Sequence, residues 1–324
     1  MSRVLSVTFN TLSAEEIKKN AVVKITKPIS TSFNKDTSET PYDDRLGLID
    51  NGKHCMTCNH TAIKCPGHFG YIELPEPVIN RLYLKHIINI LSVICDKCSR
   101  CIINEDLGIY NGLSTNVASR QKRLTNLQKL CKKLQYCQYK DCMARRVSYS
   151  LVGKNIVKFF TNKKTSLTLS TSDILELFLS ISNKTCEFIG ISNRPENMIF
   201  TIFPVAPIRA RPYVINEGQK CDDDLTDKYS TLVKQINKYH KNNRELDRKI
   251  EMSKIEMSVW SIIDNREELS KISSEGRAHK SLFQRIAGKN GRVTENIVGK
   301  RVDFTARSVI TSGGQVLRAD SLGV

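Results

Sequence analysis

The sequence predicts an α+β chain of several modules, knitted together by metal-bound loops and not by one continuous core. Three observations lead there: two clusters of cysteine and histidine at ligand spacing, two successive amphipathic helical stretches in the C-terminal half, and a basic, Gly-containing end. The 324 residues are enough for two or three modules with cores of their own. With 40% hydrophobic and 26% charged residues the composition is globular, which excludes a chain kept disordered by its composition. Fifty Lys and Arg against 33 Asp and Glu give a net charge of +17, and so basic a surface attracts polyanions before any specific contact forms. A Lys/Asn-rich codon bias would produce the same total, so the position of the charge has to decide.

Val4–Phe9 reads as a short strand. Ser13 with Glu16 three residues on is a capping box that opens a helix. Lys27–Pro41 is a polar loop rich in Ser and Thr, and Asp50–Gly70 is too poor in apolar residues for an independent core. Val78–Ile94 is the most apolar stretch; Arg81, Lys85, His86 and Asn89 interrupt it and it is too short to span a bilayer, so it is expected to be a buried amphipathic helix. Met1–Asn20 lacks the apolar core of a secretory signal, which makes the expected location intracellular, with no membrane partner. In a reducing compartment eleven cysteines are not a disulfide framework, and at short spacings they point to metal.

Asn116–Arg146 carries nine Lys and Arg against one acid, Asp141. Val147–Ile202 alternates apolar and polar segments, as expected for α/β packing around the metal modules, and Pro204, Pro207 and Pro212 then break regular structure. Asp222–Asp224 places negative charge at the start of a helix running towards Asn243, where the helix dipole favours it. Its apolar positions Leu225, Tyr229, Leu232, Ile236 and Tyr239 have helical spacing. A second helix, roughly 248–266, carries Met252, Ile255, Val259 and Ile262 on one stripe, so the two form a helical hairpin. From Ser274 onwards the chain is Gly-rich and basic. Over 280–307, Lys280, Arg285, Lys289, Arg292, Lys300, Arg301 and Arg307 stand against only Glu295 and Asp303. Gly288, Gly291 and Gly299 let the backbone bend and approach phosphates, a pattern suited to gripping a nucleic-acid backbone without reading bases. Asp303 has a structural alternative, orienting a nearby arginine.

Cys55-x2-Cys58-x6-Cys65-x2-His68 brings two short ligand pairs into one loop, and a two-residue gap lets both side chains of a pair converge on a tetrahedral zinc ion. His54 and His60 are rival fourth ligands, while Pro66-Gly67 forms a tight turn suited to presenting His68. For a second site Cys95-x2-Cys98 supplies one pair and Cys137-x4-Cys142 a candidate for the other, with Cys101 and Cys131 competing for places. Cys186 and Cys221 are isolated. Both sites read as structural, since four protein ligands leave no position open for water or substrate.

Tyr42–Gly47 (YDDRLG), Cys55–Leu74 (CMTCNHTAIKCPGHFGYIEL), Pro77–Cys98, Phe203–Val214 (FPVAPIRARPYV), Asp222–Lys228 (DDDLTDK) and Gly288–Ile310 (GKNGRVTENIVGKRVDFTARSVI) together resemble, in order, the N-terminal part of the largest subunit of multisubunit DNA-directed RNA polymerases of the archaeal, eukaryotic and large-DNA-virus type. Residues 103–200 match weakly. The resemblance implies a clamp core over 1–215 with two structural Zn2+ ions, one on Cys55, Cys58, Cys65 and His68, the other on Cys95, Cys98, Cys137 and Cys142. It implies a lid loop over 216–226, a clamp helical hairpin over 225–266 where initiation and elongation factors dock, and a rudder and switch region over 273–324. The rudder would lie near 273–282 and the switch about 281–307, with the basic residues named above as DNA contacts. Implied partners are template DNA, the RNA–DNA hybrid, the second-largest subunit and the rest of the largest subunit; implied locations are the nucleus, or the virion or cytoplasmic factory of a virus. Ala287 and Thr294-Glu295 depart from the family's more basic pattern, which shifts phosphate contacts to neighbours.

Polymerisation in that family needs an Asp-rich loop holding Mg2+ for nucleotidyl transfer, and no such cluster occurs here. Asp222–Asp224 is contiguous at a helix start, so its carboxylates would fan apart. The chain is therefore expected to be a portion of a nucleotidyltransferase that lacks the catalytic residues, with Mg2+ only in the missing part. The alternative from another class is a free-standing zinc-dependent DNA-binding or factor-docking protein derived from such a subunit, or one that mimics the clamp of a host polymerase.

Overall fold

The computed structural model describes residues 10–29, 37–50, 52–106, 120–153, 155–160, 166–216, 219–271, 276–307, 309 and 318. The expected strand Val4–Phe9 and part of the loop Lys27–Pro41 lie outside the described residues. The chain divides into two units, Met1–Phe283 and Gln284–Val324.

In the first unit the elements run α1 (Ala14–Asn20), β1 (Ala21–Lys24), β2 (Phe69–Ile79), α2 (Leu84–Leu91), α3 (Arg120–Cys131), β3 (Val147–Val152), β4 (Asn155–Phe160), β5 (Ser166–Thr168), α4 (Thr171–Leu179), α5 (Asn183–Ile189), β6 (Ile199–Val205), β7 (Val214–Asn216), β8 (Gln219–Cys221), α6 (Asp224–Lys241) and α7 (Glu245–Ile263). Helices and mostly antiparallel strands in separate stretches make this an α+β chain. One sheet has the order β1-β2-β6, with β1 parallel and β6 antiparallel to β2; a second is β3-β4-β5, and β7 pairs with β8.

Local chemistry sets the helix starts. At α1 the capping box is formed: the Glu16 amide donates to Ser13 Oγ (3.2 Å) and the Ser13 amide to Glu16 Oε2 (2.8 Å). Ser170 and Asp173 form another box at α4, and α5 ends on Gly190 in the left-handed conformation. Asp223 caps α6 by accepting from the Leu225 amide at 2.9 Å.

The helix expected over Val78–Ile94 is shorter. Val78 and Ile79 belong to β2 and pair with Phe200 and Ile199 of β6. The register of that pair shifts between Glu73 and Val78, where Pro75 and Pro77 have no amide to donate. Asn80 then accepts from the Leu82 amide, opening a single 3-10 turn, and the α-helix starts only at Leu84. The apolar run was continuous because a buried strand feeds directly into a buried helix.

Among the described residues two large apolar cores result, with a small third one of Leu48, Cys55, Ala62 and Cys65. One gathers α2, α3, α4 and α5 around the second cysteine group, with Ile87, Leu127, Ile174 and Phe178 fully buried. The other packs the β1-β2-β6 sheet against the hairpin of α6 and α7. Leu225, Tyr229, Leu232 and Ile236 of α6 are buried there with Ile255, Val259 and Ile262 of α7. Tyr239 and Met252 are only partly buried. Three residues, 242–244, join the helices, which are antiparallel: Lys228 Nζ reaches the Ser261 carbonyl (2.7 Å) and Ser258 Oγ donates to Gln235 Oε1 (2.7 Å). Trp260 anchors the hairpin to the sheet through Nε1 on the Ile79 carbonyl (2.8 Å).

In the second unit the described backbone makes a π-helical turn over Val293–Val298. Gly288 has φ +90°, and a Cβ on Gly291 would stand 2.4 Å from the Ile286 carbonyl. Both positions need glycine for the bend expected of them. Gly299 has no such requirement.

Candidate metal centres and basic segment

Each ligand pair sits on a tight backbone turn, and three of the turns follow one plan. In the first, the Cys55 amide donates to the His60 carbonyl (2.9 Å) and the Asn59 amide returns to the Cys55 carbonyl (2.8 Å). In the second, the Cys95 amide donates to Arg100 (2.9 Å) and Ser99 to Cys95 (3.0 Å). The third is two residues longer, with Cys137 donating to Ala144 (2.8 Å) and Met143 to Tyr139 (3.0 Å). In each turn the residue after the second cysteine, Asn59, Ser99 or Met143, has positive φ (56°, 56° and 44°). The extra length of the third turn is packed, since Arg100 lies 3.9 Å from the centroid of the Tyr139 ring and pairs with Asp141.

Cys65 and His68 use another device. Gly67 takes φ +83° and its amide points at Cys65 Sγ (3.4 Å), while the His68 amide is tied to the Leu46 carbonyl (3.0 Å). Arg209 Nη1 donates to the carbonyls of Ala62, Ile63 and Cys65 (3.2, 3.2 and 2.8 Å), so this loop hangs from the segment after β6.

The donor atoms of Cys55, Cys58, Cys65 and His68 all lie within 4.8 Å of one another, and so do those of Cys95, Cys98, Cys137 and Cys142. Tetrahedral zinc with Zn–S of about 2.3 Å requires sulfur atoms about 3.8 Å apart. The sulfur separations are 3.6 Å for Cys58–Cys65, 3.7 Å for Cys95–Cys142 and 3.8 Å for Cys98–Cys137, and Cys65 Sγ is 3.7 Å from His68 Nε2. Both donor sets therefore fit a tetrahedral soft-ligand metal. Burial opposes ionisation of Cys55, but the amides of Cys58 and Thr57 outweigh it and hold the thiol below its ordinary range. Burial pushes Cys95 up to about 11.

His54 and His60 are not part of the first group. Their Nδ1 atoms lie against backbone carbonyls, of Asn59 (3.2 Å) and Cys58 (2.6 Å). Cys101 and Cys131 are fully buried in the apolar cluster beside the second group and outside it. The Cys101 thiol is pushed up, first by its hydrogen bond to Cys131 and then by burial. Cys186 is buried and Cys221 exposed, each away from both groups.

Of the expected DNA contacts, Lys280 belongs to the first unit and is exposed. In the second unit Lys289, Arg292, Lys300, Arg301 and Arg307 are exposed and Arg285 is half-buried. Arg292 Nη1 donates to Asn296 Oδ1 at 2.9 Å, within the π-helical turn. Among the described residues no ion pair of Asp303 is seen.

Arg211, within FPVAPIRARPYV, has a role the residue pattern did not reveal. It is fully buried, donating from Nε to the Ala206 carbonyl (3.0 Å), from Nη1 to Thr226 Oγ1 (2.9 Å) and from Nη2 to the Pro41 carbonyl. It thereby ties the YDDRLG segment to the start of α6. Around it Tyr42 Oη donates to Asp222 Oδ1 (2.7 Å) and Tyr213 Oη to Asp50, which roots the β7–β8 strand pair at both ends. Residues 217 and 218 at its tip, inside the expected lid, lie outside the described residues. The first turn of α6 also receives the segment 276–281: Arg277 Nη2 lies 3.4 Å from Asp224 Oδ1 and the Lys280 amide donates to Asp224 Oδ2 (2.8 Å). His279 bridges Ser270 Oγ (2.9 Å) and Asp227 Oδ2 (3.4 Å). Part of the expected rudder, 272–275, lies outside the described residues. Among the described residues no helix is long and apolar enough to cross a membrane.

The profile of the family described as "RNA polymerase Rpb1, domain 1" matches residues 1–297. Among curated proteins, the chain is 33% identical over 352 residues to the DNA-directed RNA polymerase subunit Rpo1N of Sulfolobus acidocaldarius, covering 99% of this chain and 38% of that protein. It is 29% identical over 349 residues to the DNA-directed RNA polymerase II subunit RPB1 of Euplotoides octocarinatus, covering 99% and 72%. It is 29% identical over 318 residues to DNA-directed RNA polymerase subunit 1 of Acanthamoeba polyphaga mimivirus, covering 87% and 21%. The chain thus spans between about a fifth and three quarters of the length of these relatives.

Proposed function

The chain belongs to the RNA polymerase Rpb1 domain 1 family, and from that premise we propose that it serves as the N-terminal clamp portion of the largest subunit of a DNA-directed RNA polymerase. The observation that carries this is the family match over residues 1–297, inside which both ligand quartets converge with the spacing of tetrahedral sites. Two Zn2+ ions held by Cys55, Cys58, Cys65 and His68 and by Cys95, Cys98, Cys137 and Cys142 would supply rigidity, in place of a core in the first loop, which has only Leu48 and Ala62 beside its cysteines, and in addition to one around the second. The Asp-rich Mg2+ loop is not among the 324 residues, so this portion contributes grip and shape to nucleotidyl transfer, with the chemistry supplied elsewhere in the enzyme.

Residues 216–226, from the end of β7 to the start of α6, are assigned as the lid, the α6–α7 hairpin as the docking arm for transcription factors, and the segment about 273–282 as the rudder. Support comes from the shared anchorage of the first and third on the start of α6. The exposed Lys289, Arg292, Lys300, Arg301 and Arg307, on a backbone bent by Gly288 and Gly291, suit contact with successive phosphates of the template strand. Arg285 extends that run within the same unit, and Lys280 precedes it in sequence.

Affinity purification of the native chain followed by mass spectrometry tests the assignment. Recovery with the second-largest subunit and with a polypeptide carrying the Asp-rich loop is expected; recovery alone, loaded with zinc and bound to DNA, would replace it with a free-standing binding protein. Alanine at Lys289, Arg292, Lys300, Arg301 and Arg307 should weaken binding to unrelated DNA sequences alike and lower the salt slope by up to about 4.5, at roughly 0.9 per phosphate lost. A loss confined to one sequence would refute backbone grip.

A further inference from the structure

A basic surface beside the second metal group is used by neither the metal centres nor the C-terminal segment. Helix α3 buries Leu124, Leu127 and Cys131, three and four residues apart. At about 100° per residue, Lys122 and Lys129 share a line on roughly the opposite side of the helix. Lys132 and Lys133 continue it, exposed, in the turn that follows. That turn is folded against the next segment by Arg146, whose amide donates to the Gln135 carbonyl (2.8 Å) and whose Nη1 donates to the Lys132 carbonyl (3.2 Å). The fold brings exposed Arg145 opposite Tyr136 in an antiparallel bridge, and Tyr136 is 46% exposed.

The charge here is unbalanced. Helix α3 contains no acidic residue. Among the described residues Lys122, Lys129, Lys132 and Lys133 form no ion pair, whereas Lys24, Lys158 and Lys254 each have a carboxylate partner. A row of unpaired amines about 17 Å long, from Lys122 to Lys133, ends at an exposed phenol ring. Successive phosphates satisfy the amines, and the ring adds a platform on which an unpaired base can stack. A duplex keeps its bases stacked on one another, and an acidic peptide has none, so the ring favours a single strand over both.

We propose that the face formed by Lys122, Lys129, Lys132, Lys133, Tyr136 and Arg145 binds single-stranded nucleic acid, independently of the C-terminal basic segment. The test uses the intact chain carrying Lys289→Ala, Arg292→Ala and Arg301→Ala, so that this segment contributes less, with fluorescein-labelled oligo(U) and oligo(dT) followed by anisotropy over a salt series. Alanine at the four lysines should lower the salt slope by about 3, from four phosphates at roughly 0.7 each. Tyr136→Ala should weaken binding about 5- to 150-fold with the slope unchanged, and Tyr136→Phe should restore it. Zinc content held at two ions per chain shows that the variants remain folded. A slope unchanged by the four alanines overturns the proposal. So does a duplex bound as tightly as the single strand with Tyr136→Ala silent, or poly-glutamate bound in place of the oligonucleotides with the same lysine dependence.

Discussion

Gly67→Ala should loosen the first metal group far more than Gly52→Ala, although both glycines have positive φ (83° and 98°). Placing an L side chain in that region costs about 1–2 kcal/mol at either position. At Gly52 nothing lies within 4 Å of the added Cβ, and the cost stops there. At Gly67 the added Cβ would stand 2.7 Å from Pro207 Cβ, on a ring that cannot rotate away, adding about 1–3 kcal/mol of overpacking. The total is about 2–5 kcal/mol, located between Cys65 and His68, and the relief available is to release the loop and its metal. Zinc retention at this group should fall about 30-fold or more, and about 5-fold or more beyond the effect of Gly52→Ala. Competition against a chromophoric chelator reads this directly, with the zinc on Cys95, Cys98, Cys137 and Cys142 as internal reference. Equal release from the two variants would refute the idea that docking onto Pro207 holds the loop.

Purified chain should carry two zinc ions by elemental analysis, and Cys58→Ser or Cys142→Ser one; full loading of either variant would remove that cysteine from its group. Arg211→Lys should cost about 3–5 kcal/mol, because one ammonium cannot serve the Ala206, Thr226 and Pro41 oxygens together, and limited proteolysis should then cut near the β7–β8 pair. Burial alone would raise the Asp43 carboxyl, but hydrogen bonds from the Arg45 side chain and from the Arg45 and Glu39 amides outweigh it and hold it below the usual carboxylate range. Its stabilisation is therefore complete above about pH 4 and lost as the pH falls through the lower folded value. Asp43→Asn should be less stable at neutral pH and should lose less on acidification in melts followed by circular dichroism; parallel acid profiles would refute this.

Three of the four candidate ligand pairs were legible because their information is local: a two-residue gap implies convergence on one ion whatever surrounds it, whereas Cys137 and Cys142, four residues apart and far along the chain from Cys95 and Cys98, were singled out only by the family resemblance. The α6–α7 hairpin was legible for a related reason, since alternating three- and four-residue steps from Leu225 to Ile236 and from Met252 to Ile262 define a buried line without knowledge of the partner. What stayed hidden depends on distant chain. Val78 and Ile79 are strand because β6 lies beside them, more than a hundred residues later. His68 was preferred over His54 and His60 for the Pro66-Gly67 turn, but the carbonyl at Leu46 that ties its amide lies outside that local pattern. Arg209 and Arg211 are two residues apart and both basic, yet one holds a metal loop and the other fills a core. No local spacing rule separates them.

Helix α6 is a rigid spine, packed from Leu225 to Ile236 in the core it shares with the sheet and α7 and held again where Tyr239 donates to Glu76. Its 18 residues span about 27 Å, from residues 242–244 at the tip to Asp223 and Asp224 at the root. The root is where the strand pair β7–β8 is fastened through Asp222 and where the segment 276–281 is fastened through Asp224 and Asp227. Two loops far apart in sequence therefore share one anchor, and a change at the start of α6 reaches both.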